Sequence, residues 1–437
     1  MKYQTFPWGG YRQRLPQPEV WQERFWWLGF LVAALLLFTV NLAELPLQAG
    51  QETMLAEAAR EIMGRNWFFP TLEGRPYVEH FPLLAGLIAL AYKWGGVNIW
   101  MVRLPGALAG ALSVPLLYGV GREILPNRTA AIFAAFSYLT LFPVARYSRL
   151  AMGDGVTLCL ELLIVFCLLR SRRDWRWTLG IGLGLGLLAL VQGAGALLMG
   201  AVVFIFLQWD TPRLLRRLPL WFGLLLGITP VILWSILQSL VHEMPWLTGL
   251  MLAPLLTPLP PSRFGFPVTL LLELLLWSLP GLLMVGYGYQ LCGKNLTWGW
   301  SRLIWVWTGV YGLGLILLAV FVPVSIVPLC PVWALAAGLA LAEICHFPTY
   351  RPYPVLWVGI LATLGLLAMM ASLAVSVLFP MFPIGILILG SLGITWGSTT
   401  LLIARRDRAF PAMLFWGMYL SLLLLFTSPY WLWDLVC

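Results

Sequence analysis

Charge is scarce in this chain: Asp, Glu, Lys and Arg together make 10% of 437 residues, against about 25% in an ordinary soluble domain. A water-soluble globular fold is therefore excluded. Histidine is almost absent, with 3 residues, and the 6 cysteines include no CxxC pair and no framework spacing, so neither a zinc site nor a disulfide scaffold is expected. The formal charge of +9 comes from short basic clusters between apolar runs, not from one basic stripe, and nucleic acid is not an expected partner. What fills the chain instead is apolar: 60% hydrophobic residues, with 24 Trp and 23 Phe. Runs of about 20 apolar residues recur along the whole length, which excludes the ~10-residue alternating strands of a membrane β-barrel. The expected class is an all-α polytopic membrane protein.

Candidate spans lie near residues 25–43, 104–121, 129–147, 154–170, 177–191, 193–208, 218–241, 267–290, 303–324, 328–345, 354–378, 383–403 and 411–428, a bundle of about 13 helices of bilayer length. The shorter run from Phe81 to Trp94 is broken by Gly86 and is interfacial, re-entrant or a short span by length alone. Charge distinguishes these. If the run does not cross, Lys2, Arg12, Arg14 and Arg24 share one side with Arg122, Arg128, the Arg170–Arg176 and Arg213–Arg217 clusters, Lys294, Arg302, Arg351 and Arg405–Arg408. If it does cross, most of these basic residues fall outside, against the positive-inside rule. The expected topology is a cytoplasmic tail at residues 1–24, a core at 25–208 with an external loop at 43–103, and a C-terminal bundle at 209–437 without a soluble C-terminal domain. The C-terminus is expected outside the plasma membrane.

Within the external loop, Met54, Leu55, Ala58, Ala59, Ile62 and Met63 form one helical stripe, with Glu57, Arg60, Glu61 and Arg65 largely opposite. The pattern predicts an amphipathic helix, and such a helix also suits a plain interfacial role on the membrane. Its neighbours bring chemistry to the same face: Gln51-Glu52 opens the helix, Arg75-Pro76-Tyr77-Val78-Glu79-His80-Phe81-Pro82 follows it, and Arg146, Arg149 and Asp154 lie in the next external turn.

Gln51-Glu52-x4-Glu57-Ala58-Ala59-Arg60-Glu61, Asn66-Trp67-x2-Pro70-x5-Pro76-Tyr77-x-Glu79-His80-x-Pro82-Leu83, Arg103-Leu104-Pro105 with its small-residue helix, Arg149-Leu150-x3-Asp154 and Leu188-x3-Gln192-Gly193 together resemble the GT-C membrane glycosyltransferases of the aminoarabinose-transferase and protein-mannosyltransferase type. The resemblance runs from Ala43 to Gly200, with later echoes at Phe266-Pro267, Trp277-x2-Pro280 and Pro328-x2-Pro331. It implies a GT-C-like bundle and a transferase that moves a sugar from a polyprenyl-phosphate donor to a lipid or protein acceptor on the outer face of the membrane. It also implies Glu52 and Asp154 as acid/base and positioning carboxylates, with Gln51, Arg60, Tyr77, Glu79, His80, Arg146, Arg149 and Gln192 near the substrate.

The sequence departs from the family at its chemistry. Gln51 stands where relatives carry Asp, and an amide cannot accept the acceptor's proton. Glu52 is adjacent but points about 100° away on a helix. His80 and Gln192 replace lysines, and the Lys expected before Pro328-x2-Pro331 is missing from Val322–Val327. Arg146 and Arg149 remain as phosphate ligands, or as interfacial anchors of their span. Asp154 also suits a plain helix N-cap. Glu79 with His80, and His242 with Glu243, are too few ligands to assign a metal site; the cofactor is left open, with a divalent cation an option that the ligand spacing does not support. Glu161, Glu273 and Glu343 lie within spans; the first two give a transporter its main support, since acids inside a membrane mark proton or substrate paths. A non-catalytic GT-C-fold protein that binds a lipid-linked sugar or a partner is a further alternative. Gly180-x-Gly182-x-Gly184-x-Gly186 is expected to allow close helix packing.

Overall fold

A computed structural model describes residues 18–48, 50–64, 71–72, 75–76, 82–242, 275, 277–318, 327–346, 354–379 and 383–431. Apart from one antiparallel pairing of Thr71–Leu72 with Arg75–Pro76, the elements are helical. They are α1 (Pro18–Thr39), α2 (Gln51–Gly64), α3 (Pro82–Gly95), α4 (Ile99–Ile124), α5 (Arg128–Leu139), α6 (Phe142–Arg149), α7 (Asp154–Arg170), α8 (Trp177–Gln192), α9 (Ala196–Asp210), α10 (Leu218–His242), α11 (Gly281–Lys294), α12 (Gly299–Leu318), α13 (Cys330–Cys345), α14 (Val355–Leu378), α15 (Pro383–Ala404) and α16 (Phe410–Phe426). The predicted spans recur as helices with shifted ends, except that residues 267–274 and 276 of the span at 267–290, and 319–324 of the span at 303–324, lie outside the described residues. By length and apolarity alone, five described helices suffice to cross a membrane, or six if the pair α5–α6 is one bent span. The expected thirteen is not reached by that criterion: α7, α8, α9 and α16 are 15 to 17 residues long, α11 is 14, and α1 and α12 do not meet it either.

The bundle has two chemically distinct ends. At one, Glu23 of α1 accepts hydrogen bonds from Tyr118 (2.7 Å) and Arg122 (2.8 Å) of α4. Glu123 pairs with Arg170 and Arg173, and Asp210 with Arg172 and Arg302. These are the basic clusters that the charge pattern groups together. At the other end lie Arg103, the start of α7 and the C-terminal turn at Trp431. Leu84 of α3 lies against Gly153, just before α7, and α4 begins at Ile99 with Arg103 at that same end. Helix α3 therefore starts and finishes at one end of the bundle and does not traverse it.

Small residues set the closest helix contacts. A Cβ on Gly182 or Gly186 would collide with the backbone of Gly223 or Gly227 of α10, while one on Gly180 or Gly184 would meet Cys167 or Ile164 of α7. Glycines four apart share a helix face, so α8 uses alternate pairs to approach two neighbours. Gly182-x3-Gly186 faces Gly223-x3-Gly227, the small-x3-small geometry that lets membrane helices touch backbone to backbone.

Gly186→Val is expected to cost about 1–3 kcal/mol by overpacking, whereas Gly200→Val, where a Cβ meets nothing within 4 Å, is expected to leave stability unchanged; thermal unfolding in detergent separates the two. A second expectation concerns Glu23. Partial burial raises its carboxyl, but hydrogen bonds from Arg122 and Tyr118 and the charges of Arg122 and Arg128 outweigh that effect and hold it below the ordinary carboxylate value. The contribution is therefore present above the ordinary pKa and is lost as pH falls through the depressed one. The unfolding temperatures of wild type and Glu23→Gln should differ at neutral pH and converge in acid.

Candidate active site

Two arginines and one acid organise the site end. Arg103 and Glu52 are both fully buried and paired at 2.8 Å. The guanidinium Nε donates to Glu52 Oε1 (3.1 Å) and NH2 to Oε2 (2.8 Å), while the remaining N–H groups reach the carbonyls of Leu42 (3.0 Å), Leu45 (3.1 Å) and Pro46 (2.9 Å). All five guanidinium donors are thereby engaged. Glu52 also accepts from the backbone N–H of Gln48 and of Ala151, each at 2.8 Å. Its four lone-pair positions are filled, and no proton-accepting site faces a substrate. The expectation that Glu52 is the base thus gives way to a different finding: it is the anchor that ties α2, the 42–48 segment, α4 and the turn before Asp154 together.

Arg149 is also fully buried. It donates to Leu37 O (3.0 Å) and Asn41 O (3.4 Å) at the C-terminal end of α1, where carbonyls are left over and the helix dipole is negative. Its guanidinium carbon lies 4.3 Å from the Phe426 ring and 4.6 Å from the Trp431 ring. The expected phosphate ligand is therefore engaged with helix ends and aromatic faces. Arg146, one turn earlier on α6, is buried with its guanidinium 5.7 Å from the Tyr147 ring.

The turn that carries Asp154 is shaped by glycine. Gly153 has φ +87°, a left-handed conformation costly for any residue with a Cβ, and Gly155 sits on the backbone of Gly106, where a Cβ would collide. Asp154, half-buried in the first turn of α7, is thereby pressed against α4. Leu84 of α3 and Val191 of α8 pack around Gly153, which brings Gln192 and the start of α3 to the same turn. Helices α3, α4 and α8 thus converge on the glycine turn that carries Asp154.

The remaining expected residues fall differently. Gln51 and Arg60 lie exposed on α2, while Glu52, Leu55, Ala58, Ala59 and Ile62 of that helix are buried, mainly toward α3. Four of the six residues of the stripe read as amphipathic thus pack on protein, while Met54 and Met63 stay exposed. Tyr77, Glu79 and His80 lie outside the described residues. Glu161 is fully buried on α7 and accepts a hydrogen bond from Tyr311 of α12; Glu273 lies outside the described residues. Among the described residues no three His, Cys, Asp or Glu side chains converge to hold a metal ion. Two structural contributors escaped the reading of the sequence as site residues: Arg103, visible only as part of an Arg-Leu-Pro motif, and Trp431, read as a membrane anchor.

Removing one member of a buried pair leaves the other charge without compensation, so Arg103→Ala is expected to destabilise the fold by about 3–5 kcal/mol. The joint change Arg103→Met with Glu52→Leu should recover much of that loss. Unfolding midpoints of the three proteins in one detergent test this; equal midpoints for wild type and Arg103→Ala would contradict the anchoring role.

Residues 79–236 match the family model described as dolichyl-phosphate-mannose-protein mannosyltransferase. A protein of Aquifex aeolicus described as uncharacterized is 24% identical over 217 residues; that match spans 49% of this chain and 44% of the relative, less than half its length. The crystal structure of ArnT from Cupriavidus metallidurans bound to undecaprenyl phosphate superposes with a TM-score of 0.73 at 18% identity, covering 92% of this chain and 76% of that one. The apo form of the same protein gives 0.70 at 19% identity, with the same coverage. The resemblance read from the motifs is borne out: the chain has the GT-C fold of ArnT, and its segment 79–236 carries the pattern of the protein mannosyltransferase family.

Proposed function

We propose that the protein is an integral membrane glycosyltransferase that takes a sugar from a polyprenyl-phosphate donor and passes it to a lipid or protein acceptor at the outer face of the membrane. The observation that carries this reading is the likeness, over 92% of the chain, to an ArnT structure bound to undecaprenyl phosphate. The family match at residues 79–236 supports it independently of the fold. The basic clusters gather at the end opposite Asp154, which suits a cytoplasmic basic end and an external site by the positive-inside rule.

In this mechanism Asp154 is the working carboxylate. An acceptor oxygen attacks the anomeric carbon as the bond to the donor phosphate breaks. Asp154 takes the acceptor's proton, the polyprenyl phosphate leaves with the bonding electrons, and one displacement inverts the anomeric configuration. Arg146, Arg60, His80, Tyr77, Glu79, Gln192 and Gln51 are assigned to donor and acceptor contacts. Glu52 and Arg149 act by holding the backbone on which Asp154 stands. One observation favours a second reading: Gln51 offers no proton-accepting group and Glu52 is fully occupied by Arg103 and two backbone donors. A protein that binds the lipid-linked sugar without transferring it accommodates both facts.

The test is transfer by purified protein from a panel of radiolabelled polyprenyl-phosphate sugars to membrane extract. Asp154→Asn is expected to lower the rate by roughly 10²-fold or more, the range of a lost general base, without changing the unfolding midpoint. Saturable donor binding with no transfer from any donor would replace the enzyme with the binding protein.

A further inference from the structure

We propose that Trp431 is a positioning residue of the Asp154 site, a seal supplied by the C-terminal turn that holds two buried arginines in place. The inference rests on the reading of Asp154 as the working carboxylate, although its physical core does not. The 3₁₀ turn Pro429–Trp431 follows α16 directly, and its indole is fully buried. That one ring lies 4.6 Å from the Arg149 guanidinium carbon and 5.6 Å from that of Arg103. Phe426 covers Arg149 at 4.3 Å and meets Trp431 edge-on, with ring centroids 5.8 Å apart. Phe142, at the start of α6, stacks on Phe426 at 6.4 Å.

Charge explains why an aromatic stands here. Arg103 has Glu52 as its counter-ion, whereas the hydrogen bonds of Arg149 go to two backbone carbonyls and its Nε has no partner. A guanidinium so buried needs a compensating field, and the negative faces of two rings supply it. Among the described residues Trp431 Nε1, like Arg149 Nε, has no hydrogen-bond partner, so the indole is held by its faces and its packing. Arg149 begins the segment that runs through Ala151, bonded to Glu52, to the left-handed Gly153 and Asp154. Fixing Arg149 at one end and Ala151 in the middle leaves that turn little freedom. Release of the indole would expose a buried cation and loosen the segment that carries Asp154.

The test compares Trp431→Phe, which keeps an aromatic face, with Trp431→Leu, which keeps apolar bulk alone. Full-length protein in detergent is treated with phenylglyoxal, an arginine-selective dicarbonyl, and modification of Arg149 is followed by peptide mass spectrometry. Trp431→Leu should raise the labelling rate of Arg149 roughly tenfold, the weight of a desolvated cation–π contact, and Trp431→Phe should stay near wild type. Equal rates in all three proteins, or equal increases in both variants, would overturn the seal. Arg60, exposed on α2, serves as internal control, its labelling unchanged in every variant. Where transfer is measurable, Trp431→Leu should lower kcat with little change in donor KM, and Phe should restore it; a loss common to both variants that tracks only the unfolding midpoint would reduce Trp431 to a packing residue. The labelling arm needs no transferase activity, so failure of the seal is distinguishable from failure of the enzyme reading.

Discussion

Taking a carboxylate and a guanidinium out of water costs several kcal/mol per ion, and attraction between them repays this only when every remaining donor and acceptor is also met. Glu52 and Arg103 satisfy that condition with backbone: three carbonyls from residues 42–46 on the arginine, and the N–H groups of Gln48 and Ala151 on the acid. Because these groups belong to separate stretches of chain, the pair forms only when all of them are in place. The segment after α1, the first turn of α2, the start of α4 and the turn before α7 are thus set by one interaction. Asp154 inherits its position from it.

The arginines at this end of the bundle differ in what they neutralise and how deep they lie. Arg103 and Arg149 lie inside and neutralise protein groups: a carboxylate in one case, the carbonyl-rich end of α1 in the other. Arg146 is buried on α6 as well, and Arg60 stands exposed on α2. The distinction follows from depth. A buried guanidinium takes whatever acceptors the fold provides, and only a cation near water retains donors for a ligand.

Much of this architecture was legible in the sequence. The apolar runs marked helices, and the charge pattern placed the run from Phe81 to Trp94 on one side, a reading with which α3, starting beside Gly153 and leading into α4 at the same end, agrees. The glycine series of α8 announced close packing, though not that alternate glycines serve α7 and α10. The site was harder to read. Consecutive residues of a helix point in different directions, and from sequence nothing fixed which of Gln51 and Glu52 faced inward; Arg103, 51 positions away, determines it. Similarly, Trp431 belongs to an aromatic cluster that on sequence reads as a membrane-interface anchor. Only the return of the C-terminal turn onto α6 shows that its partners are arginines. Long-range pairing of this kind leaves no local periodicity to read.

The glycines of α8 also bear on how this protein can move. A helix locked against one neighbour can slide or tilt away on its other side, but α8 is bound closely on both, to α7 through Gly180 and Gly184 and to α10 through Gly182 and Gly186. On the α10 side backbone meets backbone, and on the α7 side Cys167 and Ile164 seat directly on the glycines, so neither seam has slack for shear. Helices α7, α8 and α10 consequently form a stiff slab with Asp154 at its rim, and any opening that admits a substrate has to be accomplished by other elements swinging against that slab.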